Sequence, residues 1–110
     1  MPTATVDTAT LTTVINQCFA YSMNTQLSPQ DRNSFLVEGK RLRGQLLNLL
    51  SAQFDAGLQQ LVAANQSLAS VNASLAQSAT ALANTAQTLS GIASLVSTLD
   101  KLLSAATSFV

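Results

Sequence analysis

The chain has 110 residues and a mass of 11.5 kDa, room for one domain with a single modest core. Only 9% of its residues are charged, five of each sign, against about 25% in an ordinary soluble domain; 47% are hydrophobic, and 25 Ser and Thr with 17 Asn and Gln make up most of the rest. Zero net charge argues against nucleic acid as a partner. The lack of His and the single Cys exclude an intrachain disulfide and most catalytic and metal-binding chemistry. The chain is therefore read as non-enzymatic, with no cofactor, metal or small-molecule substrate.

The opening residues Met1-Pro2-Thr3-Ala4-Thr5-Val6-Asp7 have neither a basic nor an apolar run of the kind a secretory leader needs. No window reaches the roughly 18 uninterrupted apolar residues of a spanning helix. A cytoplasmic location is expected, with non-classical secretion left open.

Residues 7 to about 25 carry Leu11, Val14, Ile15, Cys18, Phe19 and Ser22 at the spacing of one helix face. Asp7 or Thr8 is suited to cap this helix. A break follows at 26–28. Ser28-Pro29-Gln30-Asp31 then sets a hydroxyl at the cap, proline at the first helical position and a carboxylate at the third. Proline's missing N–H has no helical partner there, and the acid meets the positive end of the helix dipole.

From Pro29 to the end there is no further proline. Leu47, Phe54, Leu61, Leu68, Leu75, Leu82, Leu89, Val96, Leu103 and Val110 recur every seven residues. A strict seven-residue period predicts supercoiling against a partner helix, so the column through Leu103 is the expected interaction seam. Its companion column is Leu50, Gly57, Ala64, Val71, Ser78, Thr85, Ile92, Leu99 and Ala106, large at the ends and small in the middle. The expected fold class is all-α: a short first helix, then residues 29–108 as one long heptad-patterned helix or a long helical hairpin, in coiled-coil or bundle packing. The unbroken phase favours the single long helix; the rarity of 80-residue helices in small proteins favours the hairpin.

Four of the five cations, Arg32, Lys40, Arg41 and Arg43, fall within twelve residues, and Arg32, Lys40 and Arg43 share a helix face with Leu36. They form a candidate patch for an anion, an acidic partner or an anionic surface, or a solvated face paired with Asp31 and Glu38. Cys18 has no imidazole to act as its base, and packing explains it better than nucleophilic chemistry. Gly39 and Gly44, which flank the cations, read as points of close helix approach. The 44 residues from Ala56 to Leu99 hold no charge at all.

The expected function is that of a structural or adaptor protein that self-associates through the seam, as a homo-oligomer or with a helical protein partner. The alternative is an amphipathic helix that binds a membrane surface or lipid particle through an uncharged polar face.

Overall fold

The structure, a computed structural model, describes residues 3–55, 57–78, 85–104 and 108–109. It is an all-α bundle, as expected. Its four helices are α1 (Thr8–Ser22), α2 (Pro29–Leu49), α3 (Gln59–Ser78) and α4 (Thr85–Ser104). Three short strands accompany them: β1 (Thr3–Ala4), β2 (Ala52–Asp55) and β3 (Ser108–Phe109).

Both expected caps are made. Asp7 Oδ1 accepts from the Thr10 amide at 3.1 Å and Oδ2 from the Thr10 hydroxyl at 2.7 Å. Ser28 Oγ accepts from the Asp31 amide at 3.1 Å, with Pro29 in the first turn. Each cap satisfies an amide that has no carbonyl partner inside its helix.

The stretch from 29 to 108 is not one helix. It ends at Leu49, where the chain turns through Leu50 and Ser51 into β2, and helix resumes at Gln59. Within β2, Ala52 and Phe54 are buried while Gln53 is half-exposed, the two-residue alternation of a strand rather than the spacing of a helix. β2 lies between β1 and β3, antiparallel to both, with Ala4 opposite Phe54 and Ala52 opposite Phe109. This small sheet gathers the start of α1, the ends of α2 and α4 and the start of α3 at one end of the bundle.

Side-chain bonds and contacts set the helix directions. The Asp7 amide donates to Asn65 Oδ1 and the Tyr21 hydroxyl to the Leu75 carbonyl, so α1 and α3 run parallel. Tyr21 stacks on Phe35 with ring centroids 5.0 Å apart, and Gly39 lies against Cys18, so α1 and α2 are antiparallel. Gly91 faces Val71 across the antiparallel α3–α4 pair. The main pairings are α1 with α2, α2 with α4, α4 with α3 and α3 with α1. The link through β2 therefore crosses the bundle diagonally, and α2 and α4 are parallel neighbours.

In every helix a stripe of buried positions alternates three and four residues apart. In α1 the stripe is Leu11, Val14, Cys18 and Tyr21, with Ile15 also buried beside it, and in α2 it is Phe35, Glu38, Leu42, Gln45 and Leu49, with Gly39 also buried beside it. In α3 they are Leu61, Ala64, Leu68, Val71 and Leu75. In α4 they are Thr85, Thr88, Ile92, Leu95, Leu99 and Leu102. That spacing keeps one stripe of each helix on the common axis.

Candidate functional site

The expected seam divides among three environments. Phe54, Leu61, Leu68 and Leu75 are at most 3% exposed and pack inside the chain. Leu89, Val96 and Leu103 are half-buried at the edge of that core. Leu47 is 68% exposed, and Leu82 lies outside the described residues. The inner part of the column thus serves intrachain packing, which corrects the expectation of one seam open to a partner along its length. The physical reason is a change of phase: in α4 the companion column, Thr85, Ile92 and Leu99, turns to the axis, and Leu89, Val96 and Leu103 rotate toward α2.

That rotation builds a groove between α2 and α4, with a volume of about 490 Å³. α2 contributes Arg41, Gly44, Gln45 and Asn48; α4 contributes Val96, Asp100 and Leu103. Gln45 ties the two walls together, its Nε2 donating to the Val96 carbonyl at 2.9 Å and to Asp100 Oδ1 at 2.7 Å. With its amide nitrogen so engaged, Gln45 Oε1 is left buried without a partner. The Asp100 carboxylate stands at the exposed rim.

Gly44 lies on this groove, and a Cβ built on it meets no atom within 4 Å. Gly39, five residues earlier, is the opposite case: its added Cβ is 3.1 Å from both Cys18 Cβ and the Phe19 ring. Gly39 therefore permits the close approach of α1 and α2, as the sequence suggested, whereas Gly44 permits no approach within the chain.

The four cations of the candidate patch spread around α2. Arg41 donates to Glu38 Oε1 at 2.9 Å and remains 61% exposed, so the pair contributes little to stability. Arg43 lies over the Phe19 ring, 5.7 Å from its centroid. Arg32 is half-buried with its Nε unpartnered, and Lys40 projects into solvent. Glu38, only 9% exposed, keeps Oε2 unpartnered.

Charge is partitioned between the two sides of the bundle. Eight of the ten charged residues belong to α2 and α4. The outer face of α1 has none, and Thr13, Asn16, Gln17 and Ala20 line a shallow depression of about 320 Å³ there. Cys18 is fully buried, and burial pushes its thiol up to about 12, with the Glu38 charge acting in the same direction. A thiol so held is protonated at neutral pH and is a poor nucleophile. Among the described residues no three His, Cys, Asp or Glu side chains converge as metal ligands, and no helix is long and apolar enough to cross a membrane.

Gln45, Asn48 and Asp100 were not singled out from sequence. Their signal was present in α2: Phe35, Glu38, Leu42, Gln45 and Leu49 follow the core spacing with polar residues at alternate steps. A polar side chain at a core step characteristically fixes helix register. No family model matches the chain, and neither a curated protein nor a solved structure shows detectable similarity to it.

Proposed function

We propose that this chain is a non-enzymatic helical contact protein that self-associates, with the α2/α4 face as its contact surface. The observation that carries the reading is Gly44. Glycine in a helix interior costs about 1 kcal/mol relative to alanine, and here no intrachain packing offsets it. A bare backbone beside a groove suits the close approach of another helix. The parts of the recurring apolar column that the bundle leaves uncovered support the reading: Val96 and Leu103 line the groove, and Leu47, outside the groove lining, extends the exposed surface of α2 one turn beyond Gly44 at 68% exposure.

Hydrogen exchange at two protein concentrations tests this reading. Amides of 41–48 and 96–103 should exchange more slowly at the higher concentration. Equal protection, or a change confined to α1 and α3, removes it.

Adsorption to a membrane surface is the second reading, favoured by the uncharged outer face of α1. It ranks lower because Leu61, Leu68, Leu75 and Leu99, the side chains that would enter lipid, face the bundle interior. Flotation of the folded chain with small vesicles would promote it.

A further inference from the structure

We propose that this chain docks on an anionic membrane surface through the flank of α2 that faces α1, its cations meeting lipid phosphates and Met23 and Leu50 entering the interface. The proposal goes beyond the self-association reading and uses the opposite flank of α2 from the groove, so either can fail without the other.

Arg32, Leu36, Lys40, Arg43, Leu47 and Leu50 follow one another at steps of four, four, three, four and three residues. Eighteen residues in five steps is the period of the helix itself, so the six form a straight stripe about 27 Å long. Leu50 belongs to it because this cap residue keeps helical backbone angles, φ −61° and ψ −28°. Arg43 lies over the Phe19 ring, which fixes the stripe on the α1 side, whereas the Gln45 bonds fix the groove on the α4 side.

Charge on this flank has one sign. α1 carries no charged residue from Thr8 to Ser22. Glu38 is buried and paired with Arg41, Asp100 stands on α4, and Asp31 is turned about 100° from its neighbour Arg32. The Asp7 carboxylate is engaged with Thr10, and the Asp7 amide with Asn65 of α3. Lys40 and Arg43 are exposed, and among the described residues neither has an ion partner. In a chain of zero net charge, such a flank makes a dipole that turns this side toward an anionic surface.

Apolar side chains stand at both ends of the stripe. Leu50, 62% exposed, closes it at one end. Met23, 73% exposed, is one turn past Phe19, and the antiparallel packing of α1 on α2 sets it near the other end. With cations between these two anchors, the flank can lie along a bilayer, its charges at the phosphates and its apolar tips just beneath. The leucines that the uncharged-face reading needs are buried, whereas these side chains are already outside, so docking leaves the core intact.

The shape of the flank separates a lipid surface from a protein helix. Gly39 brings α1 and α2 close together, and Arg43 on Phe19 fills the furrow between them. A level face suits a bilayer, while an amphipathic helix needs a groove to sit in. A second copy is disfavoured here, because two cationic stripes repel.

The test is flotation of the folded chain with phosphatidylcholine vesicles containing about 30% phosphatidylserine, beside phosphatidylcholine alone. Partitioning should be at least about tenfold stronger on the anionic vesicles and should drop several-fold between about 0.1 M and about 0.5 M salt. Lys40→Glu should weaken it about tenfold or more; Lys101→Glu, the same charge change on α4, should weaken it less than about twofold. Both lysines are exposed, so neither change disturbs the core. Equal partitioning to neutral and anionic vesicles, or equal loss in the two variants, contradicts docking by this flank. Failure to float with either vesicle also overturns it, and binding to soluble polyglutamate in that case assigns the stripe to an acidic protein segment instead.

An environment-sensitive dye on Leu50→Cys reads insertion directly, since Cys18 is buried and escapes labelling in the folded chain. Its emission should shift to the blue on anionic vesicles, and the same dye on Gln66→Cys of α3 should not shift. Equal shifts at the two positions contradict the assigned face.

Discussion

Gln45 and Asp100 meet at 2.7 Å across the two parallel helices that wall the groove, and the same Gln45 amide nitrogen also reaches the Val96 carbonyl. One side chain thereby sets the axial register of α2 against α4. Gln45→Glu places a second carboxylate beside Asp100 and loses both donated bonds. It is expected to destabilise the fold by about 2 kcal/mol at neutral pH. Part of that loss should return as the pH is lowered and the introduced acid is protonated, read by urea unfolding at pH 7 and pH 4.5.

The two glycines of α2 predict opposite signs for one substitution. Gly39→Ala drives its methyl to 3.1 Å from Cys18 Cβ and the Phe19 ring, and should destabilise by about 1–3 kcal/mol. Gly44→Ala enters open space and should stabilise the dilute monomer by about 0.5–1 kcal/mol through helix propensity. Chemical denaturation of both variants at low protein concentration checks the pair.

Tyr21 links three helices: it lies on α1, stacks on Phe35 of α2 and donates its hydroxyl to the Leu75 carbonyl of α3. Tyr21→Phe retains the stacking and removes the bond. A loss of about 1 kcal/mol is expected, seen as a lower denaturation midpoint with an unchanged slope.

Much of this fold was legible in the sequence, and the illegible part has a physical cause. The caps at Asp7 and Ser28 and the face of α1 follow from local chemistry that tertiary packing did not override. The break at 50–58 was hidden because Leu47 and Leu61 are fourteen residues apart. Two whole heptads separate them, so a strand and a turn leave the phase intact. Phe54 falls on the same column yet is buried as a strand residue. The groove was harder still, since seven-residue periodicity identifies a column without saying which of two adjacent columns faces the axis. α3 buries Leu61, Leu68 and Leu75, while α4 leaves Val96 and Leu103 half-covered and buries Ile92 and Leu99. Only the packing of α4 on α2 makes that choice.

Burial of Cys18 gives the fold an alkaline limit. The folded state holds its proton up to about 12, while the unfolded chain releases it near the ordinary thiol value of 9.0. The contribution is complete below about pH 9 and declines as pH rises from there toward 12. Tyr21, raised above 10.0 by burial, acts in the same direction. Cys18→Ala should flatten the fall in stability over this window. In the native wild type, iodoacetamide should leave Cys18 unmodified at pH 8 and label it rapidly in denaturant.

The central claim is that the α2/α4 face joins copies of this chain. Light scattering with multi-angle detection across a concentration series, on the wild type and on Leu47→Asp, measures it most directly. Leu47 is 68% exposed, so its substitution leaves the bundle core untouched. The wild type should approach twice the 11.5 kDa chain mass as concentration rises, and Leu47→Asp should remain at the mass of one chain. A wild type that stays at 11.5 kDa at every concentration, or a variant that associates as well as the wild type, contradicts the account.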